Sequence, residues 1–302
     1  MFDHFLVSVV VVPPVLVVLA RLLAERLAPR VAAPVMAWSA AGTAVASLVN
    51  LLVFALKAVA EVPAVANVFG WSSRVVVQDT ARFAWVSWLS VVLLTAASIA
   101  VTLTWRRQRR LLALAGADPA EGPLVVVPDP AAHAFAVPGK PGHVVVTTGM
   151  REALTDEQFA ALLAHEQAHL DARHHRLIRI SELAAASHPA LWWVTRHVDY
   201  LVERAADEHA AAEVGSRRTV ARAIGAAALA ATARPVVTAG LHAASPGGVV
   251  PRRVTSLLTP RRRLVSPIAA VAPLALALFS LAWTVEAAWD LGELIVAALP
   301  GR

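Results

Sequence analysis

Two imidazoles and a carboxylate lie close together in His165-Glu166-Gln167-Ala168-His169. The run from Asp156 to Leu170 holds no Pro or Gly, and Thr155 with Gln158 three residues later has the form of a capping box, so the stretch is expected to be a helix. On a helix, residues four apart share a face, and both rings can then meet one metal ion. Glu166 falls beside that ion, where a carboxylate can take a proton from an attacking water. The chemistry this pattern serves is metal-assisted hydrolysis, in which zinc acidifies a water and polarises a carbonyl. Chance produces such patterns on polar helix faces. Here the flanking Phe159, Leu162, Leu163 and Leu170 are apolar, so the polar groups between them need partners.

A third ligand is required, and two candidates compete. His175 lies ten residues after His165, a spacing that works where a Gly ends the helix and turns the chain back. Position 172 is Ala, a strong helix former, so that turn is not encoded, and His174 and His175 with Arg173 and Arg176 read as a solvated basic helix end. Glu203 is favoured. It sits in Tyr200-Leu201-Val202-Glu203-Arg204-Ala205-Ala206-Asp207, where a helix turns Glu203 and Asp207 the same way. Two His and one Glu leave a zinc position open for water, and Asp207 can hold a ligand imidazole in one tautomer. The alternative for Glu203 and Asp207 is a solvated charged helix face. Tyr200, His188 and His209 are candidates for stabilising an oxyanion, with none preferred.

The elements that must position these groups are set by an apolar chain. Of 302 residues, 58% are hydrophobic and 16% charged, and the mean hydropathy is +0.62. Such a composition points to a membrane protein. The net charge of +6 comes from Arg clusters flanking apolar runs, so it reads as topology, and no direct nucleic-acid binding is expected. With no cysteine, disulfides and thiolate metal sites are excluded.

Four spans are expected: 5–23 (interrupted by Pro13-Pro14), 35–56, 83–105 and 267–285. Small residues such as Gly42 and Ser47 suit close helix packing, and Asn50 reads as interhelical glue. Residues 58–82 read as a connecting loop. Arg21, Arg26 and Arg30, then Arg106 to Arg110, then Arg261 to Arg263 all fall on one side of the bilayer. The positive-inside rule makes that side the cytoplasm, with both termini outside. The expected domains are a three-span region (1–105), a cytoplasmic metal-binding domain (106–266), and a fourth helix with a short tail (267–302). Within the middle domain, 124–127 and 144–148 read as strands with a hairpin turn between them. The 144–148 strand is a candidate for holding an extended substrate. Helices are expected over 189–214, ended by Gly215, and over 219–231, whereas 240–266 reads as irregular and basic and the tail beyond Glu286 as weakly apolar.

With these residues in view, the chain resembles the BlaR/MecR-type membrane metallopeptidases, and more distantly the HtpX and CAAX prenyl protease group. The resemblance rests on Ala134-Phe135-Ala136, Val144 to Gly149, Leu154-Thr155-x-x-Gln158, His165 to His169, His188-Pro189-Ala190-Leu191-Trp192-Trp193 and Glu203-x-x-x-Asp207. It implies a mainly α integral membrane protein, with four transmembrane helices and a cytoplasmic α+β gluzincin-like protease domain between spans three and four. It also implies Zn2+ held by His165, His169 and Glu203, Glu166 as general base, and Asp207 supporting a ligand. In the first group the substrate is a repressor or the protease itself, and an extracellular penicillin-binding domain follows the last span. This chain is expected to stop where that domain would begin, which puts β-lactam sensing in doubt. Expected partners are a protein substrate, such as a helix-turn-helix repressor, and the bilayer. Competing expectations are an HtpX-like quality-control peptidase and a non-proteolytic protein that uses zinc for docking.

Overall fold

A computed structural model describes residues 2–79, 81–115, 122–233, 249–259 and 267–300. The first helix, α1 (Phe2–Leu23), contains a π turn over Leu6–Val11. The irregularity expected at Pro13-Pro14 therefore lies just upstream, because Pro13 starts the regular segment Val12–Leu23, where a missing N–H costs nothing. The second helix, α2 (Pro29–Glu61), is longer than the expected 35–56. Next come two short helices, α3 (Pro63–Phe69) and α4 (Ser73–Asp79), where a loop was expected. Their apolar faces close over the end of α2: the Trp71 indole donates to the Ala60 carbonyl, and Ala60 and Val76 are buried against Ala298. Then follows α5 (Trp85–Ala115).

A three-stranded sheet comes next: β1 (Leu124–Val127), β2 (Ala134–Val137) and β3 (His143–Thr147), in the order β1-β3-β2. β3 pairs parallel with β1 and antiparallel with β2. The strand proposed to hold substrate is thus the central one. Its backbone groups are already paired on both sides, and β-addition requires a free edge, so that expectation is corrected.

After the short α6 (Thr148–Glu152) runs α7 (Asp156–Asp171), with both bonds of the Thr155/Gln158 capping box in place. Two antiparallel helices follow, α8 (His174–Ser187) and α9 (Trp192–Glu213), joined by a 3-10 turn at Pro189–Leu191. α9 ends before Gly215, whose φ of +68° glycine adopts without strain. Beyond it are α10 (Arg217–Ala233) and α11 (Val249–Leu258). The latter corrects the expectation of irregular chain; residues 240–248 and 260–266, including Arg261 to Arg263, lie outside the described residues. The last helix, α12 (Pro267–Ala297), carries the fourth apolar segment past Val285 to include the weakly apolar tail.

Among the described residues, four helices are long and apolar enough to cross a membrane: Phe2–Leu23, Pro29–Glu61, Trp85–Ala113 and Ala269–Ala297. Gly42 lets α2 approach α12 closely, since a Cβ there would stand 3.1 Å from Ala277 Cβ. Several buried polar groups in these helices are paired across helices or along one. Ser47 Oγ donates to the Ser8 carbonyl at 2.8 Å, Asn50 Nδ2 donates to the His4 carbonyl at 3.2 Å, and Lys57 Nζ reaches Glu61 at 2.8 Å. The sheet packs on α7 through Val144, Val146, Met150 and Leu154, and α7 packs on α9, α10 and α11 through Ala161, Ala210, Val220 and Leu257.

Candidate metal centre

α7 supplies His165, Glu166 and His169, and α9 crosses it to supply Glu203 and Asp207. Both His Nε2 atoms turn to one point and stand 3.2 Å apart. Glu203 faces them with both oxygens, Oε2 at 3.6 Å from His165 Nε2 and Oε1 at 3.6 Å from His169 Nε2. One atom from each of these three residues lies within 4.8 Å of the others. Ligands about 2.0–2.1 Å from a tetrahedral zinc ion stand about 3.3 Å apart, so a small divalent ion fits this donor set. The identity of the donors, two neutral-capable imidazoles and a carboxylate, suits zinc, with one position left open.

Around this group each ring has a partner at its outer nitrogen. His165 Nδ1 is 3.0 Å from Asp207 Oδ1, and Asp207 is 1% exposed. His169 Nδ1 is 3.1 Å from His174 Nδ1. The same contact corrects the picture of His174 on a solvated helix end. α7 stops at Asp171, Arg173 takes a left-handed φ of +51°, and the turn drops His174 into the interior at the start of α8. No Gly is needed there, though a non-Gly residue in that region is uncommon. Burial first, with the charges of His165 and His175 adding, pushes the His174 ring down to about 4, so it is neutral and can accept from His169. His175 is half-buried in the first turn of α8 and is not part of the three-residue group.

Arg253 was missed as a site residue. It stands on α11, where its Nε and Nη2 bond the two oxygens of Asp207 at 2.9 and 2.6 Å and its Nη1 reaches Glu203 Oε2 at 2.7 Å. A signal was present in the sequence: Val250, Val254 and Leu257 mark an amphipathic helix, and Arg253 lies on the face of Leu257, which is buried. Among the oxyanion candidates, His188 is removed from contention. It sits at the far end of α9 from Glu203 and bonds the Val9 carbonyl at 2.9 Å. Tyr200 is buried beneath Arg252, whose guanidinium lies 3.9 Å over its ring, and His209 is exposed.

The charges set the protonation states. Burial disfavours charge on His165, but hydrogen bonds to Asp207 and Glu203 outweigh it and hold the ring at about 10. Burial also disfavours the Glu203 carboxylate, yet Arg253 and the two imidazoles keep it well below its ordinary range. Asp207 is likewise held down by Arg253 and His165 against burial. Glu166 moves the other way: burial raises it, Glu203 adds to this, and His165 and the Ala136 backbone N–H oppose it. A carboxylate raised in this way is a better base than an exposed one.

An apolar helical bundle joined to a partly buried group of two His and one Glu defines the class: a membrane-associated protein with a candidate metal centre. Residues 104–187 match the model of peptidase family M48, a stretch that covers the sheet and α7 and ends before Glu203. M48 peptidases are metal-dependent, so the match and the donor set together support a metallopeptidase. No curated protein and no solved structure matches the chain.

Proposed function

We propose that the chain is a multi-pass membrane zinc endopeptidase whose active site faces the cytoplasm, and that it cuts a regulatory protein, such as a helix-turn-helix repressor, or itself. The observation that carries the reading is the convergence of His165 Nε2, His169 Nε2 and the Glu203 carboxylate between the helix that carries Glu166 and its neighbour. His165, His169 and Glu203 would hold the metal. Bound there, the metal lowers the pKa of a water and polarises the scissile carbonyl.

The protein's own groups do the rest. Asp207 Oδ1 stands 3.0 Å from His165 Nδ1 and would hold the proton on that nitrogen, leaving Nε2 as the donor atom. His174 does the same for His169. Arg253 fixes the Glu203 and Asp207 carboxylates to each other and offsets their charge. Glu166 takes a proton from the attacking water and passes it to the leaving amine. An extended substrate fits the outer edge of β2. Thr147 N–H donates to the His133 carbonyl, so Ala134 and Ala136 point their backbone groups away from β3. Ala136 N–H already donates to Glu166, which puts that edge beside the base.

The Arg-rich helix ends support a cytoplasmic site by the positive-inside rule. The test is zinc content and proteolysis of the detergent-purified protein. About one zinc per chain is expected, with cleavage of itself or of a co-expressed repressor that chelation abolishes and zinc restores. Cleavage indifferent to chelation would reject the reading.

A further inference from the structure

Two hydrogen bonds align α9 with α1. Near the metal centre Arg204 Nη1 donates to the Ala24 carbonyl at 3.0 Å, and at the opposite end His188 Nε2 bonds the Val9 carbonyl at 2.9 Å. Ala24 lies among Arg21, Glu25 and Arg26, which mark the water boundary of α1. Val9 lies within its apolar interior. At 1.5 Å per residue, α1 and α9 run side by side for roughly 22 Å between these bonds, whereas the hydrocarbon core of a bilayer is about 30 Å thick. The side-chain core agrees. Ala184, Leu191, Val194 and Val198 of the α8–α9 hairpin share one buried cluster with Leu16 of α1 and with Ala40 and Ala44 of α2. Ala44 is near the middle of Pro29–Glu61, far from either end.

We infer that the α8–α9 hairpin is re-entrant: its tip, from Leu183 to Thr195, dips into the bilayer, and Trp192 and Trp193 face lipid. The inference rests on the reading that the four apolar helices span a membrane, and it withdraws this tip from the cytoplasmic segment expected over 106–266. Between Leu183 and Thr195 the one ionisable side chain is His188, and it is bonded to α1. The hydroxyls are satisfied within the hairpin, as hydrocarbon requires: Thr195 Oγ1 donates to the Ser181 carbonyl at 2.8 Å and Ser187 Oγ to the Ala184 carbonyl at 2.8 Å. Trp192 and Trp193 are 47% and 49% exposed, a large apolar surface at the tip of the hairpin. Arg196, one turn closer to the water boundary, lies 5.0 Å over the Trp192 ring, where a long side chain reaches the headgroups. The consequence for the site is mechanical: Glu203 sits on a helix anchored in lipid at its other end, so the metal centre is held at the membrane surface.

The chain has no cysteine, which makes single-cysteine spin labelling direct. Trp192→Cys and Trp193→Cys would be labelled in liposomes beside Val92→Cys on the exposed flank of α5 and Glu157→Cys at the start of α7. Accessibility to oxygen and to a water-soluble nickel chelate gives depth. The labels at 192 and 193 are expected to match 92, with oxygen favoured several-fold over nickel relative to 157. If 192 and 193 behave like 157 while 92 is in lipid, the re-entrant hairpin is wrong. If 92 is also in water, the membrane reading itself fails. Should the Trp variants not fold, an acyl-chain photoprobe on the unaltered protein decides: label in the peptide around 188–196 supports the inference. Label confined to the four long helices overturns it.

Discussion

Replacing Asp207 by Asn tests how the metal centre is held together. The wild-type carboxylate, 1% exposed, takes two hydrogen bonds from Arg253 at 2.9 and 2.6 Å and stands 3.0 Å from His165 Nδ1. Asn keeps the size but offers one acceptor oxygen and no charge, so at least one of these donors loses its partner. Breaking a buried ion pair costs about 3–5 kcal/mol. Arg253 keeps its second carboxylate, Glu203, so the lower end, about 3 kcal/mol, is expected for the metal-free protein. Loss of the acceptor that orients a ligand His weakens metal binding about 10–100-fold. The assays are unfolding in detergent with chelator present and zinc affinity by competition with a chromophoric chelator. A D207N protein that binds zinc within about twofold of wild type would refute the claim that Asp207 positions His165.

Three further outcomes are expected. His165 is held at about 10, above its ordinary value, so between roughly pH 6.5 and 10 the metal-free ring carries a proton that zinc must displace. Zinc binding at pH 8 should release about one proton from this ring, read by calorimetry in buffers of different ionisation enthalpy, and affinity should rise with pH across that window; no release would contradict the assigned charge. Ala134→Pro removes an outward N–H of β2 without removing a β2–β3 bond or the Ala136 contact to Glu166, so cleavage should fall at least tenfold while zinc content is unchanged; unaltered cleavage would remove β2 as the substrate edge. Gly149→Ala would drive a Cβ into the Pro130 carbonyl oxygen, forcing the Asp129–Ala132 segment off the start of α6. It should cost about 1–3 kcal/mol in thermal unfolding, and a neutral result would mean the segment yields freely.

Much of this architecture was legible because it depends on local pattern. The Thr155/Gln158 box fixed the start of α7, the uninterrupted run beyond it put His165 and His169 on one face, and four apolar runs stand as four long helices. What failed depends on distant contacts. β3 looked like an edge because nothing in 144–148 announces that β1 will pair with it in parallel across the intervening β2. Arg253 looked like one of many basic residues, and its role exists only because α11 folds back onto α9. His174 looked solvated because Ala172 favours helix, while the turn is made by Arg173 in a conformation its type rarely adopts. α3 and α4 have no helix signature of their own in 58–82 because their burial is supplied by the ends of α2 and α12.

The central claim is that His165, His169 and Glu203 hold a metal that serves hydrolysis, with Glu166 as the base. Glu166→Gln changes the base and none of the three donors. Zinc content and cleavage rate measured on the same E166Q preparation therefore separate the two roles. Zinc at the wild-type level of about one per chain is expected, with cleavage reduced at least 100-fold, the lower end of the usual contribution of a general base. Cleavage at the wild-type rate with zinc bound would contradict the claim.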